Sequence, residues 1–242
     1  MRNKVLELKN VTASYQEGKE HKEVLKEVSF SIYEGEIVGL LGESGSGKTT
    51  LCKCILNLLK DVWGEVKHHT GNPQMIFQDP FGSLNPKKKI GWILEEPLKV
   101  GTKSARSKED NKENEKTQNR ANENVKRSRL ERRKKVEEVL SLVNLSGELY
   151  HRYPRELSGG QRQRVSIALA LMTGTKFILA DEPLSALDVT VQAQIIELLK
   201  KLQKEKGISI LFVSHDIDVV ADICERVLLI EEGKLREVKI NR

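Results

Sequence analysis

Residues 36–49, EIVGLLGESGSGKT, constrain this chain more than any other stretch. A continuous apolar run, EIVGLLG, ends in a glycine-rich loop, and TTLCKCILNLLK follows with the apolar spacing of a helix. Strand, loop and helix in that order begin an α/β unit. The loop matches G-x-x-x-x-G-K-S/T, whose glycines let successive backbone N–H groups converge on phosphate oxygens. Gly42, Glu43, Ser44, Gly45, Ser46 and Gly47 would cradle the α- and β-phosphates of a nucleotide. Lys48 would reach the β- and γ-phosphates, Thr49 would offer its hydroxyl to Mg²⁺, and Thr50 adjoins it at the helix start.

The rest of the chain supplies the partners such a unit needs. VLELKNVTASY (5–15) and VLKEVSFSIYEGE (24–36) alternate apolar and polar residues, the pattern of an antiparallel strand pair. QMIFQD (74–79), KFILADE (176–182) and ISILFVSH (208–215) are short apolar runs suited to the buried strands of a mostly parallel sheet. RVLLIEEGKLREVKI reads as a closing hairpin. Between them, Val136, Val139, Leu140 and Val143 sit at helical spacing, and QRQRVSIALALMTG predicts a second helix. The expected organisation is one domain: a nucleotide-binding core over 1–81 and 176–242, with an inserted helical subdomain over about 82–175.

Two acidic residues close the KFILADE strand, at the edge where open α/β sheets bind ligands. Asp181 suits an outer-shell carboxylate for Mg²⁺, and Glu182 suits a base that polarises water in line with the γ-phosphate. Gln78 and His215 end two further strands, and as members of this set both would report on the γ-phosphate. Gln78 would act through the attacking water or as a Mg²⁺ ligand, His215 by direct hydrogen bond.

Composition narrows the setting. The first residues, MRNKVLELKN, lack the apolar core of a signal peptide. No apolar run approaches the roughly 20 residues of a membrane span, so a soluble chain made in the cytosol is expected. Cys52, Cys54 and Cys224 read as buried free thiols, with a metal-binding C-x-C as the alternative. The net charge of +6 is local: residues 101–135 hold 13 Lys or Arg and 6 Asp or Glu, a net of +7 that leaves −1 elsewhere. Within that insert, 101–124 has almost no large apolar residue, which predicts disorder or a frayed helix. It reads as a solvated linker, with anionic lipid attachment as the sharper alternative. Nucleic acid is not expected, because the insert lacks aromatic residues to stack bases.

The ordered set GESGSGKT, Gln78, LSGGQ (157–161), ILADE, SALD (185–188) and His215 resembles the nucleotide-binding subunit of ABC transporters along essentially the whole chain. The resemblance implies ATP hydrolysis with Mg²⁺ by a P-loop core carrying an N-terminal antiparallel β-subdomain. It implies head-to-tail pairing with a second ABC ATPase subunit, in which Ser158, Gly159, Gly160 and Gln161 close over the partner's ATP. It also assigns Tyr15 to stacking on adenine and Asp188 to the turn linking the two sites. FQDPFGSLNPKKKIGWILEEPL (77–98) and RYPRELSGGQRQRV (152–165) are similar to importers of dipeptides, oligopeptides and nickel. That implies integral membrane permease subunits, an extracellular substrate-binding protein acting indirectly, and a peripheral position on the cytoplasmic face of the membrane. Phe81, Leu84 and the segment around Trp92 are then candidates to contact the permease, with ordinary packing as the alternative. Many such relatives carry a C-terminal extension, which this sequence does not show after its last hairpin. An ATPase acting on nucleic acid or ribosomes is the alternative function.

Overall fold

The computed structural model describes residues 2–17, 20–71, 73–103 and 115–239. Its described residues form two compact units, one of residues 1–79 with 175–242 and one of residues 80–174.

The first unit holds two sheets. β1 (Lys4–Glu17) and β2 (Glu20–Tyr33) pair antiparallel, with Leu6 opposite Ile32 and Leu8 opposite Phe30. Leu6 and Leu8 on β1 and Val28, Phe30 and Ile32 on β2 are buried at every second position, so this face of the ribbon closes on the core. A bulge interrupts the register between Leu8 and Val11, where Asn10 adopts φ 49° and its N–H donates to Ser29 Oγ. β4 (Val62–His68) adds a third strand beside β1. Only two valines mark it in the sequence, and its outer residues Trp63, Glu65 and Lys67 are exposed, so no apolar run announced it.

The larger sheet has the order β5–β6–β7–β3–β8–β9, with β3 Ile37–Leu41, β5 Gln74–Ile76, β6 Phe177–Asp181, β7 Ser209–Val213, β8 Arg226–Glu231 and β9 Lys234–Val238. The first five neighbours run parallel and β9 returns antiparallel on β8. β3 and β7 are buried along their whole length, which is why they read as unbroken apolar runs. α1 (Lys48–Ile55), α6 (Val189–Lys206) and α7 (Ile217–Ile223) accompany the sheet. Gly39 lets α7 approach β3: a Cβ there would lie 2.6 Å from Val220 Cγ1. Arg226 bridges the buried Glu36 (2.9 Å) and Glu237 (2.9 Å), tying β8 to the end of β2 and to β9.

The second unit is helical: α2 (Pro80–Ser83), α3 (Ile90–Lys103), α4 (Glu115–Leu142) and α5 (Gly159–Met172), with short 3₁₀ turns at Gly147–His151 and Pro154–Glu156. Leu84, Ile90, Leu94, Val136, Leu140 and Val165 fill its core. Of the two forms expected for the charged insert, disorder or a frayed helix, the described part takes the helical one. Residues 101–103 close α3 and 115–135 lie in α4; residues 104–114 lie outside the described residues. Glu, Lys, Arg, Gln and Ala are good helix formers, and the apolar stripe from Val136 onward anchors the C-terminal turns of the same helix in the core.

Candidate functional site

Helix α1 starts without a side-chain cap: its N-cap is Gly47 at φ 112°, and its first turn holds no acidic residue. Helical bonding begins with Leu51 N–H donating to Gly47 C=O at 2.8 Å. The N–H groups before it point outward with the positive end of the helix dipole, a site built for an anion. Lys48 is only 8% exposed, and its Nζ donates to the carbonyls of Gly42 (2.7 Å) and Glu43 (2.8 Å). These bonds hold the ammonium against the loop. Gly42 has no room for a side chain, since a Cβ would come within 2.6 Å of Ile230 O and 2.5 Å of Ser46 Oγ. The buried Ser46 hydroxyl finds no protein partner. An orphaned donor, an uncapped helix and an enclosed lysine fit a polyphosphate.

Opposite the loop in the sheet order, β6 ends at Asp181. Burial, then the neighbouring Glu182, push the Asp181 carboxyl above the usual range, and Lys48 opposes them. A carboxylate held at a cost, within the field of Lys48, is an oxygen donor of the kind Mg²⁺ accepts. Among the described residues no cluster of three His, Cys, Asp or Glu could hold a metal alone, so nucleotide phosphates would have to complete the coordination.

Glu182 sits in left-handed backbone at φ 45°, just before Pro183, and its N–H donates to Val213 O at 3.0 Å. Its carboxylate is gripped from both sides. Gln78 Nε2 donates to Oε2 at 3.1 Å, and His215 Nδ1 lies 3.4 Å from Oε1. Three residues 137 positions apart at their extremes thus meet because β5, β6 and β7 are neighbours and each delivers a polar residue just past its carboxyl end. Ser185 Oγ donates to the Glu182 carbonyl at 3.1 Å, a supporting contact that sequence reasoning missed. Tyr15 Oη lies 3.4 Å from Thr50 Oγ1, and Lys53 Nζ stands 5.9 Å from the Tyr15 ring centre. That places the tyrosine beside the first turn of α1.

The LSGGQ residues belong to the helical unit. Ser158 caps α5: its hydroxyl accepts from Gln161 N–H at 3.3 Å, and Gln161 Oε1 accepts from Ser158 N–H at 3.0 Å. Gly159 and Gly160 form the first turn. This capping box presents a second preformed helix N-terminus. Asp188 caps α6, accepting from Val191 N–H at 2.9 Å. Leu84, a candidate contact residue, is instead core of the helical unit at 1% exposure. The Phe81 side chain lies outside the described residues. The three cysteines are buried and free; burial pushes the Cys54 thiol up to about 11 and the Cys52 thiol higher still.

This P-loop core with its antiparallel β-subdomain and helical unit defines an ATP-binding cassette. The chain belongs to the ABC transporter family, which it matches over residues 25–185, and it is an ATPase. It is 40% identical to the oligopeptide transport ATP-binding protein OppF of Streptococcus mutans serotype c, over 98% of this chain and 75% of that protein. It is 39% identical to the OppF of Bacillus subtilis, over 98% of this chain and 76% of that one. The dimeric post-hydrolysis structure of the ATP-binding cassette MJ0796 with ADP and Pi is similar at a TM-score of 0.74. That likeness comes with 33% identity and covers 98% of this chain and 99% of the other.

Proposed function

We propose that the chain binds MgATP, pairs with a second ABC ATPase subunit and powers a membrane importer of oligopeptides. The observation that carries the substrate class is its 40% identity to an oligopeptide transport ATP-binding protein along 98% of its length. Nothing in the chain favours nickel over peptide, and no relative above acts on nucleic acid.

In this reading the N-terminus of α1 and the loop N–H groups hold the phosphates, and Lys48 exchanges its two carbonyl bonds for β- and γ-phosphate oxygens. Thr49, Asp181 and Gln78 would hold the magnesium ion, which would supply charge neutralisation at the phosphates. Glu182 takes the proton of the attacking water. Gln78 and His215 hold its carboxylate in place, so the base is oriented before substrate arrives. Tyr15 stacks on the adenine. Ser158, Gly159, Gly160 and Gln161 close over the ATP of the partner subunit, and Asp188 lies in the turn joining the two sites. Among the described residues no helix is long and apolar enough to cross a membrane. Attachment at the cytoplasmic face then depends on the permease subunits, which receive solute from an extracellular binding protein.

The test is Glu182→Gln. It keeps the hydrogen-bonding shape but removes the base, so ATP binding should persist while turnover falls at least about 10²-fold. The variant, tagged and captured from its own cells with MgATP, should bring down integral membrane subunits and a second ATPase. Capture of ribosomal proteins or DNA instead would overturn the importer reading.

A further inference from the structure

The helical unit carries a surface that ATP hydrolysis does not use. Residues 80–174 hold 21 Lys or Arg and 12 Asp or Glu, a net of +9 that leaves −3 of the overall +6 for the remainder. Part of this charge is organised around aromatic rings. Lys88 and Lys99 Nζ stand 4.6 and 5.4 Å from the ring centre of Trp92, itself 37% exposed. Lys89 and Arg155 lie 5.7 and 5.5 Å from Tyr153, and Arg133 lies 5.2 Å from Tyr150.

The segments that carry these groups are bonded together. Ile90 N–H donates to Arg152 O at 2.9 Å, and Tyr150 Oη donates to Glu95 at 2.5 Å. Glu95 is buried and also faces Lys99 (3.2 Å) and Arg132 (3.6 Å), so its charge is neutralised inside the unit. Glu137 pairs with Arg133 at 2.9 Å and Glu156 with Arg152 at 3.1 Å, and these with the exposed Glu96, Glu131, Glu138 and Glu148 offset part of the positive charge.

Aromatic rings covered by cations are poorly placed to stack bases. Trp and Tyr mixed with long basic side chains is the composition of a water–bilayer interface, where ring and methylene stem enter the headgroup layer and the charge meets phosphate. We infer that this basic–aromatic face binds anionic phospholipid headgroups directly, with Lys88, Lys89, Arg133 and Arg155 supplying charge and Trp92 the interfacial anchor. The inference deepens the peripheral location proposed above, by adding a contact that needs no permease.

Sedimentation of the full chain with vesicles tests it. Phosphatidylcholine vesicles with phosphatidylglycerol added should bind the chain, those without should not, and the bound fraction should fall as salt rises. Each charge removed should cost roughly fivefold in partitioning, so Lys88→Gln/Lys89→Gln and Arg133→Gln/Arg155→Gln should each lose about 25-fold. Basal ATPase and the thermal midpoint should stay at wild-type values, excluding misfolding. Equal binding to both vesicle types, wild-type binding by both double variants, or preference for duplex DNA over anionic vesicles in the same assay would each overturn the inference. None of these results bears on the importer reading, which the capture experiment decides separately.

Discussion

Gly42→Ala is the most demanding test of the phosphate loop, because two opposing effects have known signs. Gly42 is not among the positive-φ glycines, so alanine meets no backbone penalty there. In open space the change would stabilise the chain by about 0.4–1 kcal/mol through the unfolded state. The space is closed. The added methyl would meet Ile230 O at 2.6 Å and must retreat about 0.8 Å to reach ordinary contact near 3.4 Å. Ile230 O belongs to β8, which is paired along β3 through Leu41 and Leu229, so the strand cannot give way alone. Overpacking of this kind costs about 1–3 kcal/mol, and against the entropic gain it leaves a net loss of up to about 2.6 kcal/mol. The displacement falls on the loop and on Lys48, whose ammonium is bonded to Gly42 O itself. A misplacement near 1 Å costs on the order of 10²-fold in rate. Chemical denaturation and steady-state ATP hydrolysis read the two effects together. Gly45→Ala is the internal contrast: nothing lies within 4 Å of its Cβ, but its φ of 81° is strained for alanine by about 1–2 kcal/mol. Asparagine, which tolerates that conformation, should recover part of the loss at Gly45 and none at Gly42. A Gly42→Ala chain with wild-type turnover and an unchanged or raised midpoint would refute the steric account.

Lys48→Ala should weaken binding of a fluorescent ATP analogue by at least tenfold, and unchanged binding in that titration would remove the lysine from the site. Asp181→Asn should raise the thermal midpoint of the nucleotide-free chain at neutral pH. The folded pKa of Asp181 is raised, so its ionised form opposes folding above the ordinary carboxylate range. The gain should shrink as pH falls into that range, and a midpoint difference independent of pH would contradict the burial account. Arg226→Met strands the buried Glu36 carboxylate, 4% exposed, and should cost about 3 kcal/mol, or on the order of 10 °C in midpoint. Replacing Glu36 by Met as well should recover most of it, and a double variant as unstable as the single would show that the ion pair is not the cause.

What the sequence disclosed follows from the range of the interactions involved. The β3–loop–α1 unit is local, so adjacent residues dictate it, and the wholly buried β3 and β7 declare themselves by unbroken apolarity. β4 escaped notice because an edge strand needs only one apolar side: Val62 and Val66 face inward while Trp63, Glu65 and Lys67 face out. Gln78, Glu182 and His215 could be named one by one from their positions after strands, but their mutual grip depends on the strand order. Leu84 was misjudged because a lone leucine in a polar segment looks alike whether it meets a partner or its own core. Composition left the insert open between disorder and a helix, because it does not register the tether that Val136 and Leu140 give the far end of α4. Arg226 carried no pattern at all, since its surroundings are assembled from Glu36 and from β9.

The open start of α1 has a consequence for the life of the subunit in a cell. A helix that leaves its first N–H groups for a ligand is thermodynamically unfinished until nucleotide arrives. Ligand at a hundred times its dissociation constant adds about 2.7 kcal/mol to the folded state, a large share of what holds most proteins together. Protease resistance should then rise with the ATP concentration around the protein. Starvation for ATP would thin the population of this subunit by turnover as well as idle it, so the supply of fuel sets how many engines remain and not only how fast they run.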